Sequence, residues 1–207
     1  MPDLHFYPDD PADKDYTFSV AEFEIEKEDV FHLKNLYKMI HDWMMLHEFY
    51  PATTNELTKD ERVETLYLQR ILQSGNMEHS IWWRCEHTPR NSNFYKFFLK
   101  LDFITLNMGT KEVTIKGQKM KTNSGDIIIR SKGYLMLDYK MAWRKDPLLK
   151  HPFIHRWFFR HVYAKQIDFL KTDLWVTTYK LHDVIKQYLE MKTPYELPKP
   201  FHPPGGL

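Results

Sequence analysis

Cysteine is almost absent from this chain, with Cys85 the single one in 207 residues. No internal disulfide can form, and a reducing compartment, the cytoplasm, is the expectation. Glycine is scarce too, at 7 residues. Gly109-Thr110-Lys111 and Gly117-Gln118-Lys119 match neither a Walker loop nor a dinucleotide fingerprint, and read as hairpin turns. No Gly-x-Ser-x-Gly elbow occurs, so the common hydrolase nucleophile is missing. No apolar run approaches the roughly 18 residues that cross a bilayer. The start of the chain is acidic and proline-rich, which is neither a signal nor a transit peptide. Net charge is close to balance at +1, so bulk charge points to neither nucleic acid nor an acidic substrate.

Catalytic and metal chemistry are correspondingly thin. Eleven histidines are present, and His151 and His155 have the four-residue spacing that shares a metal on a helix. No carboxylate lies between Asp146 and Asp168 to complete a ligand set, and His41 and His47 face apart, so neither a metal nor a cofactor is expected. Cys85 lies in an aromatic strand beside Trp82 and Trp83, where a buried, inert thiol is the default. Asp102 and Asp138 stand near the ends of apolar strands and read as ion-paired or strand-end acids. Catalytic residues are assigned nowhere, and the reading leans away from an enzyme.

What the chain does have is rings and periodicity. Hydrophobic residues make up 43% and aromatics 15% of it, enough for an aromatic core. Residues 1–14 carry Pro2, Pro8, Pro11 and four aspartates, and read as an acidic arm. Ten acids against two lysines give residues 1–30 a charge of −8, leaving the rest of the chain basic. Tyr16, Phe18 and Val20 alternate, then Ala21, Phe23 and Ile25; the slip of phase predicts one bulged strand. Asp29 then offers a helix cap, with helical spacing through Val30, Leu33, Leu36, Tyr37, Ile40, Trp43 and Met44 until Pro51 ends it. Residues 51–62 read as a loop or short helix.

A hairpin follows, Val63–Gln73 and Met77–His87 around Ser74-Gly75-Asn76. Its second strand shows a tryptophan on each face, Trp82 and Trp83, and is expected to be covered on both sides. Tyr95, Phe97, Leu99, Leu101 and Phe103 line one face of a central strand from about Asn93 to Leu106. Asn107-Met108-Gly109-Thr110 then turns the chain into short strands at 112–116, 118–121 and 126–130, with a last strand at Tyr134–Tyr139. From Pro147 the period is helical again. Phe153, Ile154, Trp157, Phe158 and Val162 form a stripe on a first helix. A second helix, Lys165–Lys192, has a seam of Ile167, Leu170, Leu174, Thr177, Leu181, Val184, Ile185, Tyr188 and Met191. Residues 194–207 carry five prolines and read as an extended tail.

The expected fold class is therefore α+β: one domain over residues 15–193, with a curved antiparallel sheet of about six or seven strands and a long C-terminal helix packed across it. This element order, over residues 16–192, resembles the helix-grip arrangement of the Bet v 1 and START-like domains, apart from the extra aromatic helix at about 152–163. The resemblance implies an apolar cavity between sheet and long helix.

Two binding surfaces follow. Rings on the sheet and long helix, Trp83, Tyr95, Phe97, Phe103, Trp175 and Tyr179, are the candidate lining for an apolar or aromatic ligand; the leading expectation is a non-catalytic module for a small molecule of that kind. The alternative is the basic aromatic segment 150–163. There Arg156, Trp157, Phe158, Arg160 and Tyr163 are interleaved with no acid between Asp146 and Asp168. Such a segment suits a protein partner or self-association, and less readily an anionic membrane surface or nucleic acid. Its plainest reading is that Phe153, Ile154, Trp157 and Phe158 simply dock on the domain. The acidic first 30 residues would also fit over it.

Overall fold

The computed structural model describes residues 16–52, 63–115, 118–140, 142–146 and 151–189. The arm at 1–14, the segment 53–62 and the tail at 194–207 lie outside the described residues. So do the side chains of residues 113–120, Arg144, His155, Arg156, Phe159 and Arg160.

Six strands form one open antiparallel sheet. In chain order they are β1 (Thr17–Phe31), β2 (Tyr50–Pro51), β3 (Glu64–Ile71), β4 (Met77–His87), β5 (Tyr95–Ile115) and β6 (Gln118–Leu137). They lie side by side as β1-β6-β5-β4, with β2 and β3 both paired to β4. The alternation read from the sequence gives the sheet a dry face. One row across it runs Ile25, Ile129, Phe103, Ile81 and Tyr67; the next runs Phe23, Ser131, Leu101, Trp83 and Glu64. The expected bulge in β1 falls between Ser19 and Ala21. It keeps both Phe23 and Ile25 on the dry side, where they are buried.

The short strands expected after residue 106 are instead two long ones, of 21 and 20 residues, paired with each other along nearly their whole length. The Asn-Met-Gly and Asn-Ser-Gly stretches make a bend, not two turns. Pairing slips between Leu106 and Gly109, Asn107 takes φ 52°, and Gly125 sits across the gap at φ 156°. A Cβ on Gly125 would lie 2.9 Å from the carbonyl oxygens of both Leu106 and Asn107, so backbone meets backbone there and only glycine fits. Turn-forming residue types mark both structures, which is why the sequence reads ambiguously at this point.

Two helices cover the dry face. The first, α1 (Leu33–Leu46), buries Leu36, Ile40, Trp43 and Met44. Its cap is His32, whose Nδ1 accepts the Asn35 N–H at 3.2 Å, and not Asp29. Asp29 and Val30 keep their ladder partners Gly125 and Ser124, so the strand runs on to Phe31 before the helix can begin. Nor does Pro51 end the helix: it stops at Leu46, and Tyr50–Pro51 pairs with β4 at Glu86 and Cys85.

After the short α2 (Ala142–Lys145) and α3 (Pro152–His161), the long α4 (Ala164–Tyr188) crosses the β1–β6 side of the sheet. At 25 residues it spans roughly 38 Å. Its buried seam is Ile167, Leu170, Leu174, Thr178, Leu181 and Ile185. Thr178, rather than Thr177, faces the sheet, and its hydroxyl donates to the Leu174 carbonyl at 2.8 Å. Gly133 is the point of closest approach, since a Cβ there would lie 3.0 Å from Thr178 Oγ1.

The opposite face is charged in its middle, and two glutamates of β1 are paired there. Glu24 meets Arg130 at 2.5 Å and Glu22 meets Lys132 at 2.7 Å, each across the β1–β6 ladder. Arg84 holds Asp102 at 2.7 Å, and buried Lys96 holds Glu86 at 2.6 Å. Beside them Phe98, Tyr134 and Met136 form a small buried cluster with Ala52. Trp82 is not covered as expected: it stays 43% exposed, with the Arg84 guanidinium 5.6 Å from its ring centre, while Trp83 is fully buried.

Two partly buried histidines make stability depend on pH. His79 lies against Thr105, its Nδ1 2.8 Å from the hydroxyl; His182 packs edge-on to Phe23 at 5.1 Å. Burial lowers the pKa of both below the ordinary 6.5. In acid the unfolded chain then binds more protons than the folded one, so their contribution is complete above about pH 6.5 and is lost as pH falls through the folded values. Stability should decline between pH 7 and pH 5, before most carboxylates titrate. Thermal melts of the His79→Asn, His182→Gln double variant across that range should show a flatter dependence; an unchanged slope would place its origin elsewhere.

Candidate interaction surface

The basic aromatic segment begins where β6 ends. Asp138 is buried just past the strand at φ 48°, and its Oδ1 accepts the Trp143 N–H at 3.0 Å. That contact ties α2 to the sheet and sets the Trp143 indole 4.6 Å from the Phe94 ring. Phe158 of α3 packs on Trp143 at 4.9 Å, and Tyr163 touches Phe94, Trp143 and Phe158 at 5.6, 5.6 and 5.1 Å. Four rings thus hold α3 against the domain. Tyr163 also starts α4, its carbonyl accepting the Ile167 N–H at 2.9 Å.

The stripe read from the sequence splits in two. Ile154 and Phe158 are half-buried on the docked side, whereas Phe153 is 73% and Trp157 51% exposed. At 100° per residue, Phe153, Trp157 and His161 follow one line along the helix, and Ile154 and Phe158 follow another about 100° away. The five ring and aliphatic positions span too wide an arc for one contact to cover. Trp157 and His161 lie 5.8 Å apart on the open line, and Val162, His151 and Lys165 are exposed around them. The backbones of Arg156 and Arg160 belong to α3; their side chains lie outside the described residues.

The six ring candidates for a ligand site fall into separate places. Trp83 and Phe103 contact each other at 4.9 Å and are both buried. Tyr37 of α1 meets Trp83 edge-on at 4.7 Å and accepts its indole N–H at 3.1 Å, while donating its own hydroxyl hydrogen to Glu64. Burial and that carboxylate push the Tyr37 phenol well above its usual range. Phe97 and Tyr95 are buried further along β5, with His87 6.0 Å from Phe97. Trp175 and Tyr179 pair at 4.5 Å on the flank of α4, and Trp175 is 48% exposed. Trp175 borders an open groove of about 600 Å³ with Phe18, Val20, Lys171 and Thr172, where the start of β1 meets α4.

The remaining reactive groups are spoken for. Cys85 is buried, and burial pushes its thiol up to about 12, so it stays protonated and unreactive in the fold. Asp102 is in its ion pair and Asp138 is in its backbone contact. No group of three or more metal-binding side chains comes together among the described residues, and no described helix is long and apolar enough to cross a membrane. Reading the sequence missed Phe94 and Trp143 as the seat of α3. Their signal was weak: Phe94 heads a mixed apolar and charged strand face, Phe94, Lys96, Phe98, Lys100 and Asp102, and Trp143 belongs to no periodic stripe.

A scan against models of known protein families found no match for this chain, and a search of curated proteins found none.

Proposed function

We propose that this protein is a non-catalytic interaction module that engages an acidic protein surface through the open side of α3. The observation that supports it is the pairing of a fixed helix with exposed rings. Phe158 and Tyr163 anchor α3, while Phe153 and Trp157 stand in solvent. Large exposed rings on a well-seated helix are the residue types that serve as binding anchors. Charge selects the partner: Lys145, Lys150, Arg156, Arg160 and Lys165 share this stretch of sequence with the rings, and no acid falls between Asp146 and Asp168.

The test places a photo-crosslinking phenylalanine analogue at Phe153 in the full chain, in the cells it comes from. The expected result is one discrete adduct to an acidic protein, lost at high salt and lost when Trp157→Glu is added, with the melting temperature unchanged. Adducts to nucleic acid or lipid, no adduct, or an adduct indifferent to Trp157→Glu would overturn the reading.

A second reading keeps the small apolar or aromatic ligand and confines it to the open end of the β1–α4 junction. The groove between Phe18 of β1 and Trp175 of α4 would offer such a molecule two rings, whereas Trp83 and Phe103 are already packed against α1.

A further inference from the structure

The strand β3 is built unlike the others. It pairs with β4 along one edge, and among the described residues its other edge is paired with nothing. Exposed edges are ordinarily blunted by lysine, proline or a bulge, because their free N–H and C=O groups recruit another strand. The sequence Glu64-Thr-Leu-Tyr-Leu-Gln-Arg-Ile71 holds neither lysine nor proline. Its one bulge lies at the start, between Glu64 and Leu66, which leaves Leu66–Ile71 in regular register with β4. Along that stretch Tyr67, Leu68 and Ile71 are exposed large apolar side chains, and Leu68 is 56% exposed. Next to Leu66 in register stands Trp82, the exposed ring of the charged face.

We infer that β3 pairs with β3 of a second copy of this chain, antiparallel and centred on Tyr67, so that two sheets continue as one. The side-chain pattern is self-complementary in that register. Leu66 of each copy stands opposite Leu68 of the other on the outer face, and Tyr67 stands opposite Tyr67 on the inner face. Glu64, before the bulge, is held on the inner face by Tyr37, and Arg70 lies on the outer face opposite Glu78, so the register is set by apolar pairing about the two-fold axis, Leu66 against Leu68 twice, as an isologous contact requires. The contact takes the Leu66 and Leu68 side chains out of water and satisfies the edge backbone groups. It involves none of the α3 surface and stands apart from the function proposed above.

Oligomeric state and cross-linking of the full chain test this. Sedimentation at micromolar concentration should give a species of twice the 25.1 kDa chain mass. Leu68→Lys should weaken the dimer more than ~10-fold with an unchanged circular dichroism spectrum. Because facing antiparallel residues lie about 5 Å apart at Cα, within disulfide reach, oxidised Tyr67→Cys should cross-link between chains, and Ile71→Cys should not. The buried Cys85 does not compete for the new thiol. A monomer at all concentrations, a dimer that survives Leu68→Lys, or cross-linking through residue 71 and not residue 67 would overturn the inference. A monomer that instead takes up a foreign strand along β3 would overturn it equally.

Discussion

Replacing Trp83 by alanine is expected to cost about 4 kcal/mol, which is at the upper end of single-residue effects. Trp83 is fully buried in the middle of the dry face, between Phe23 and Ser131 further along its row and Glu64 at the edge. Its ring meets Tyr37 at 4.7 Å, Phe103 at 4.9 Å and His41 at 6.3 Å, so it joins α1 to β5 through one side chain. Truncation removes the transfer energy of the indole and leaves a void that three rings on two elements cannot close together. The Tyr37 hydroxyl also loses the indole N–H that it accepts. Trp83→Phe keeps much of the volume but not the donor, and should cost about half as much. Urea unfolding at pH 7.5 measures both. Near-wild-type stability for Trp83→Ala would mean that α1 is not held through this ring.

The second large effect is at Gly133. Valine there should destabilise the fold by about 3 kcal/mol, or lower the melting temperature by ~10 °C, although valine is a better strand former than glycine. The reason is clearance. Gly133 lies in β6 between Ala21 and Leu99, directly under α4. An added Cβ would sit 3.0 Å from Thr178 Oγ1 and 3.6 Å from Leu174, and the two further methyl groups of valine have no room beyond it. Because α4 is seated by six buried side chains, the helix cannot lift locally without disturbing its whole seam. Gly133→Ala should cost less, and combining it with Thr178→Ala should cost less than the two singles added together, because the second substitution removes the atom that the new Cβ meets. Strict additivity of the pair would mean that contact with Thr178 is not the cause.

Both effects show the limit of reading along a chain. Trp83 and Gly133 each follow from patterns that are local, but their importance comes from what α1 and α4 bring down on them. Sequence periodicity put Trp82 and Trp83 on opposite faces and expected both to be covered. It offered no sign that Tyr37 would pack edge-on against Trp83, since residues 46 apart meet only through the fold. Gly133 read as a strand boundary and proved to be a strand interior kept free of side chain. The same holds for the rings first taken as a ligand lining. Trp83, Phe103, Trp175 and Tyr179 share a residue type, yet two lie under α1 and two lie on the outer flank of α4.

By itself, the amino-acid order determined the class of fold: alternation at spacing two made the strands, spacing three and four made α1 and α4, and an α+β sheet with a long C-terminal helix followed. These are short-range consequences of backbone geometry, the same wherever the residues occur. The tertiary structure alone decided which rings are covered. Trp82 and Trp83 are neighbours in sequence, and the same is true of Trp157 and Phe158, yet one of each pair is packed and the other open. Exposure depends on how many elements the chain has to lay over each face. Two helices cover the dry side, four rings seat one side of α3, and the described elements leave β3 with an open edge. That supply of cover is a property of the assembled layers, and it is what leaves one side of α3 exposed and, among the described residues, one edge of β3 unpaired.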